Sequence, residues 1–144
     1  MEKKSYERLV TEIKDGKSNC IIVKGDEILK FILPGVKTLM TILKENPGVL
    51  KDSIVFDKVV GKGAAALMIL GEVSEIYADI ISENAINLLK TTDIKFRYNK
   101  KVPYIENKNK TGLCPIENLS LTSNEPTEIY KKIQGFISAM NNNN

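Results

Sequence analysis

Apolar residues near the start of the chain recur with helical spacing. Tyr6, Leu9, Val10 and Ile13 fall on an i, i+3, i+4, i+7 stripe. The spacing predicts a helix over 4–14, stopped by Asp15-Gly16. The next run, NCIIVKGDEILKFIL (19–33), holds two β-rich stretches on either side of Gly25-Asp26, a hairpin signal. Pro34-Gly35 breaks it. Val36, Leu39, Met40 and Leu43 then mark a second amphipathic helix that ends near Asn46-Pro47-Gly48.

The character changes in the middle of the chain. SIVF (53–56) is short and apolar, as a buried strand would be. The stretch VVGKGAAALMIL (59–70) carries one charge, Lys62, and reads as a helix that is apolar all round and therefore buried all round. EIYADII (75–81) reads as an interior strand. Ser82 then fits an N-cap, with Glu83 in the first turn of a helix whose apolar face is Ala85, Ile86, Leu88 and Leu89. In DIKFRY (93–98), Ile94, Phe96 and Tyr98 alternate with Lys95 and Arg97, a strand with one wet face. Strand–helix–strand over 75–98 is a βαβ unit, which makes its strands parallel. A last helix over about 126–139 places Ile129, Ile133, Phe136, Ile137 and Met140 on one side, with Pro126 in its first turn. The expected architecture is a three-layer α/β/α domain over 1–140. Its mixed sheet opens with an antiparallel hairpin, and a disordered asparagine tail follows at 141–144.

Composition narrows the function classes. The chain has 144 residues, one domain's worth, with 42% hydrophobic and 27% charged residues, enough for a core. Net charge is +3, from 21 basic and 18 acidic residues, too balanced to call for nucleic acid. The lysine-rich run 95–110 reads first as a solvated edge and loop. No apolar run is long enough to span a membrane, and the first residues lack a signal core, so the expected location is cytoplasmic. Two cysteines make no disulfide framework. The complete lack of histidine removes most catalytic triads and most zinc sites, and no metal or cofactor is expected.

Two constellations carry candidate chemistry. In FDKVVGKGAAA (56–66), Asp57 fits the N-cap of the buried helix, and Lys58 and Lys62 stand at i and i+4 on its first turns. Gly61 and Gly63 each cost a helix about 1 kcal/mol against alanine, so that face is shaved for a packed backbone or for a ligand. Free N–H groups with two lysines would form an anion site. Equally, the lysines could snorkel from a packed central helix. In TGLCPIE (111–117), Cys114 fits an N-cap, Pro115 N1 and Glu117 N3 of a capping box. A thiol at a helix N-terminus is favoured as thiolate, yet free cysteine is also a common small core residue. Cys20 reads as structural. Ser82 and Glu83 cap a helix and, at the carboxyl end of a strand, could also border a ligand. Tyr104 could stack on a ligand.

The segments DKVVGKGAAALMIL, EIYADIISENAINLL and VPYIENKNKTGLCPIE together resemble one conserved family, domain of unknown function eighteen ninety-three. The likeness covers about 19–140. It implies a cytidine-deaminase-like fold with its pocket at the N-termini of the two helices that open at 57–62 and 82–87. Zinc deaminases carry His-x-Glu or Cys-x-Glu at the first place and Pro-Cys-x-x-Cys at the second. Here the chain reads DKVVGK and SENAIN, so zinc-dependent deamination is excluded while other catalysis stays open. The pocket residues implied are Asp57, Lys58, Gly61, Lys62 and Cys114, with Ser82 and Glu83 beside them.

The expected function is binding of a small anionic, nucleotide-like metabolite in that pocket. The alternative is a thiol-dependent enzyme with Cys114 as nucleophile or as sulfur or acyl carrier. A third reading is an interaction protein that uses the lysine-rich 95–110 or the amphipathic terminal helices to bind a partner or itself, as a homo-oligomer.

Overall fold

The computed structural model describes residues 1–142. The opening stripe forms helix α1 (Lys3–Lys14), which buries Leu9 and Ile13. Strands β1 (Cys20–Lys24) and β2 (Glu27–Phe31) form the expected antiparallel hairpin. Its turn places Gly25 at φ 59°, a left-handed conformation that costs glycine nothing. Helix α2 (Gly35–Glu45) and a 3-10 turn (Pro47–Val49) lead to β3 (Ile54–Val60). Then follow α3 (Lys62–Leu70), β4 (Glu75–Ser82), α4 (Glu83–Leu89) and β5 (Lys95–Val102). Two helices close the chain, α5 (Pro115–Ser120) and α6 (Pro126–Asn142).

The strands make one mixed sheet in the order β2-β1-β3-β4-β5. Strand β1 runs antiparallel to both neighbours, whereas β3, β4 and β5 are parallel, as crossovers through α3 and α4 require. Alternation along β3 divides the molecule into layers. Phe56 joins Leu9, Ile13, Ile21, Val23 and Tyr77 under α1. Val55 joins the larger core on the opposite face with Leu39, Leu67, Ile129 and Ile133. Helix α3 sits centrally in that layer, against α2, α4, α5 and α6. Its residues from Lys62 to Met68 are all buried, as a helix apolar all round demands.

Three boundaries differ from the sequence reading. The expected short strand at 53–56 continues through Asp57 and Lys58 to Val60, and the helix begins only at Lys62. Asp57 is therefore not its N-cap; Gly61 is, with no capping side chain of its own. Strand β5 runs on to Val102, past the alternating stretch, because parallel pairing with β4 extends to Ser82↔Val102. Asn141 and Asn142, assigned to a disordered tail, continue α6; Asn143 and Asn144 lie outside the described residues.

Candidate functional site

The missing cap of α3 comes from far along the chain. Glu117 Oε1 accepts from the backbone N–H of Lys62 at 2.9 Å and from Ser82 Oγ at 3.2 Å. Its Oε2 accepts from the Ile105 N–H at 2.7 Å. Ser82 Oγ in turn accepts from the Ala85 N–H at 3.1 Å and so caps α4. One carboxylate, 1% exposed, thus ties the N-termini of α3 and α4 to α5 and to the loop after β5. A negative charge there also suits the positive end of the α3 dipole. The capping box expected within α5 does not form, since Glu117 reaches outward and the Cys114 N–H donates to the Ile105 carbonyl at 2.8 Å.

Beside this junction lies a cleft of about 490 Å³. Its walls are largely apolar: Val36 of α2, Val59 of β3, Ile105, Ile116, and Phe136, Ile137 and Met140 of α6. Asp57 stands among its lining residues, 1% exposed, and its Oδ2 has no hydrogen-bond partner. The carboxyl group packs against the first residue of α2. A Cβ on Gly35 would overlap the Asp57 carboxylate, so glycine there admits it. Burial raises the Asp57 pKa to about 7, a rise moderated by the backbone N–H groups of Lys58 and Val59. Near neutrality this group can give or take a proton, or meet a donor on a ligand. Across the β1–β3 ladder stands Cys20, fully buried, whose thiol is pushed well up by burial and then by the Asp57 charge.

The residues expected to form one site divide between several places. Asp57, Gly61 and Cys114 do border the cleft together. Cys114 is the N-cap of α5, as expected, but its side chain makes no cap hydrogen bond. The two lysines do not pair as i and i+4 on a helix, because Lys58 belongs to a strand. Its side chain points to the opposite face of the sheet, where Nζ meets Asp79 Oδ2 at 3.0 Å and the Lys14 carbonyl at 3.0 Å. Lys62 Nζ turns toward the α5–α6 connection and donates to Asn124 Oδ1 at 2.8 Å. Burial lowers its pKa, against the opposing pull of Glu117. Neither ammonium is presented to the cleft as an anion-binding group. Ser82 is sealed at the Glu117 junction, and Glu83 is exposed on α4; neither borders the cleft. The pocket expected between the two helix N-termini is thus filled by Glu117, and the open space lies to its α2 and α6 side. Tyr104 is exposed and also lies outside the cleft.

Several cleft residues carried no signal of that role. Phe136, Ile137 and Met140 read only as an apolar helix face, and Pro34-Gly35 only as a break. Lys37 and Lys108 border the cleft and supply its cationic side chains; Lys58 borders it too, with its ammonium held on the other face of the sheet. Gly63 answers the shaved-face question in favour of packing. A Cβ there would lie 2.6 Å from Ile116 Cγ2 and 3.2 Å from Ile133 Cδ1, so α5 and α6 press directly on α3. Among the described residues no three His, Cys, Asp or Glu side chains are grouped to hold a metal ion.

The chain is similar to a protein of known structure from Thermotoga maritima, a DUF1893 family protein (TM1506) whose crystal structure has 2.70 Å resolution. The two share 27% identity over 94% of this chain and 91% of that one, with a TM-score of 0.82. No curated protein matches. The family model TM1506, domain of unknown function (DUF1893), matches residues 8–137. By that match, over nearly its whole length, the chain belongs to the DUF1893 family.

Proposed function

We propose that the cleft binds a small ligand with a flat or apolar body and an N–H or cationic donor that meets Asp57. The observation that carries this reading is the buried Asp57 Oδ2, unpartnered at an apolar cleft. A buried polar atom without a partner costs free energy, and a ligand donor would recover it. A nitrogen heterocycle of nucleobase type has the required shape and donor edge. The anionic character expected of the ligand moves to the rim, where Lys37 and Lys108 stand, because Lys58 and Lys62 are engaged elsewhere. The order hairpin, helix, strand, helix, strand supports a cytidine-deaminase-like domain, with binding rather than zinc chemistry in the cleft.

The test is a thermal-shift screen of nucleobases, nucleosides and their monophosphates at pH 8. At least one should raise the Tm of the wild-type chain and not that of Asp57→Asn. Monophosphates should lose their advantage over nucleosides in Lys37→Ala/Lys108→Ala. For a donor ligand, affinity should rise up to tenfold per pH unit toward pH 7 and level off above it, as Asp57 ionises. The opposite slope would overturn the donor assignment.

The second reading is thiol chemistry at Cys114, supported by its place on the wall of the same cleft. Cys114→Ser should leave ligand-induced stabilisation intact if binding alone is the function. Loss of a turnover that Asp57→Asn retains would favour the thiol.

A further inference from the structure

The two edges of the sheet are built differently. At one edge β5 exposes Lys95, Lys100 and Lys101, and lysines along an edge discourage pairing with another chain. At the other edge β2 is paired on one side only, with β1, and apolar residues stand open along it. Ile28 is 47% exposed, and Ile32 and Leu33, directly after the strand, are 80% and 60% exposed. Helix α1 packs on β1, β3 and β4 and stops short of Ile28, which borders an open trough between α1 and β2. An edge strand with unpaired backbone groups and exposed branched side chains is a template for a further strand.

The sequence of this edge complements itself. A two-fold axis that continues the sheet, with α1 of both copies on one face, must centre the antiparallel pairing on a residue, because side chains alternate between faces. Centred on Ile28, the pairing sets Ile28 against its own copy and Asp26 against Lys30, twice by symmetry. Centred on Leu29, it sets Ile28 against Lys30. Centred on Lys30, it opposes two like charges. Opposite charges and apolar pairs across two strands stabilise them, and like charges directly opposed do the reverse. Lys30 already meets Glu12 at 2.9 Å and remains half exposed, so Asp26 of a second copy would bring a second carboxylate to the same ammonium. Ile32 then borders the hairpin turn of that copy.

We propose that β2 is the docking edge for a second copy of this chain, paired antiparallel about a two-fold axis at Ile28, so that one sheet runs through both copies. The proposal is independent of the binding reading of the cleft.

The experiment is sedimentation velocity on the full chain, at concentrations up to about 100 µM. The wild type should sediment with twice the mass of one chain. Ile28→Lys sets like charges on the axis and should raise the dissociation constant roughly tenfold or more, with the circular dichroism spectrum unchanged. Lys100→Glu, on the opposite edge, should leave the dimer as it is. In a Cys114→Ser background, Ile28→Cys should form an intermolecular disulfide under a mild oxidant, since directly opposed Cα atoms lie about 5.5 Å apart. Lys30→Cys in the same background should not. A wild type that stays monomeric over this range overturns the proposal and leaves the edge to an extended segment of another protein. A dimer that Ile28→Lys leaves intact overturns it too, as does one that cross-links through Lys30→Cys and not through Ile28→Cys.

Discussion

A carboxylate removed from water with one oxygen left unpartnered favours its neutral form, and Asp57 is in that position. With a pKa of about 7 in the folded chain and an ordinary value near 3.8 when unfolded, the native state holds the proton more tightly. Stability therefore falls as pH rises from about 4 to about 7, by on the order of 4 kcal/mol from this group alone. Asp57→Asn should flatten that part of the pH profile and raise the Tm at pH 8, as urea unfolding across pH 4–8 would register. Gly35→Ala should disturb the same carboxyl group, since its new Cβ overlaps it. Glu117 is the contrasting case, a buried carboxylate with three donors. Glu117→Ala strands those donors and should cost about 3 kcal/mol or more, while Glu117→Gln keeps one acceptor oxygen and should cost roughly half as much. Denaturant titration of the two variants would check the ranking. Sequence reading put Asp57 and Cys114 in one pocket, and both border the cleft, but it gave Glu117 only a local capping role. Its true partners, Lys62 and Ser82, lie 55 and 35 residues away, a separation that local spacing does not encode.

At the scale of elements, the helices with one apolar stripe and the opening hairpin were legible, because period 3.6 and period 2 differ plainly there. The segment 54–62 was not. Asp57 and Lys58 look like the polar start of a helix, yet they are successive residues of β3 that point to opposite faces. One is buried against α2, and the other secures the C-terminus of α1 with Asp79. That misassignment also produced the expected pairing of Lys58 with Lys62. Gly63 marks the tightest contact between elements, where α5 and α6 meet α3. Gly63→Val should force these helices apart and cost about 1–3 kcal/mol, with loss of cleft shape. Gly25→Val, in the open hairpin turn, should act only through its positive φ, with the helical layer left intact. Amide exchange would separate the two, broadened over α3, α5 and α6 in the first and confined to β1 and β2 in the second.

The whole molecule is a five-stranded sheet with α1 on one face and the other helices on the opposite one. This layered α/β arrangement followed from the order of elements in the sequence. The position of the cleft did not, because it is made where α2, β3, α5 and α6 meet. Among the described residues no helix is long and apolar enough to cross a membrane. The two sheet edges differ. Strand β5 carries exposed Lys95, Lys100 and Lys101, which discourage edge pairing, whereas β2 leaves Ile28 exposed. The cleft lies at neither edge; the proposed binding reading rests on the enclosed Asp57, with Lys108 of the lysine-rich segment at the rim. The measurement that tests this most directly is the pH titration of the Asp57 carboxyl carbon by NMR in the folded chain. A midpoint near 7 is expected, moving lower when a donor ligand is added. A midpoint near 4, unmoved by any ligand in the screen, would mean a solvated or already paired carboxylate and would contradict the account.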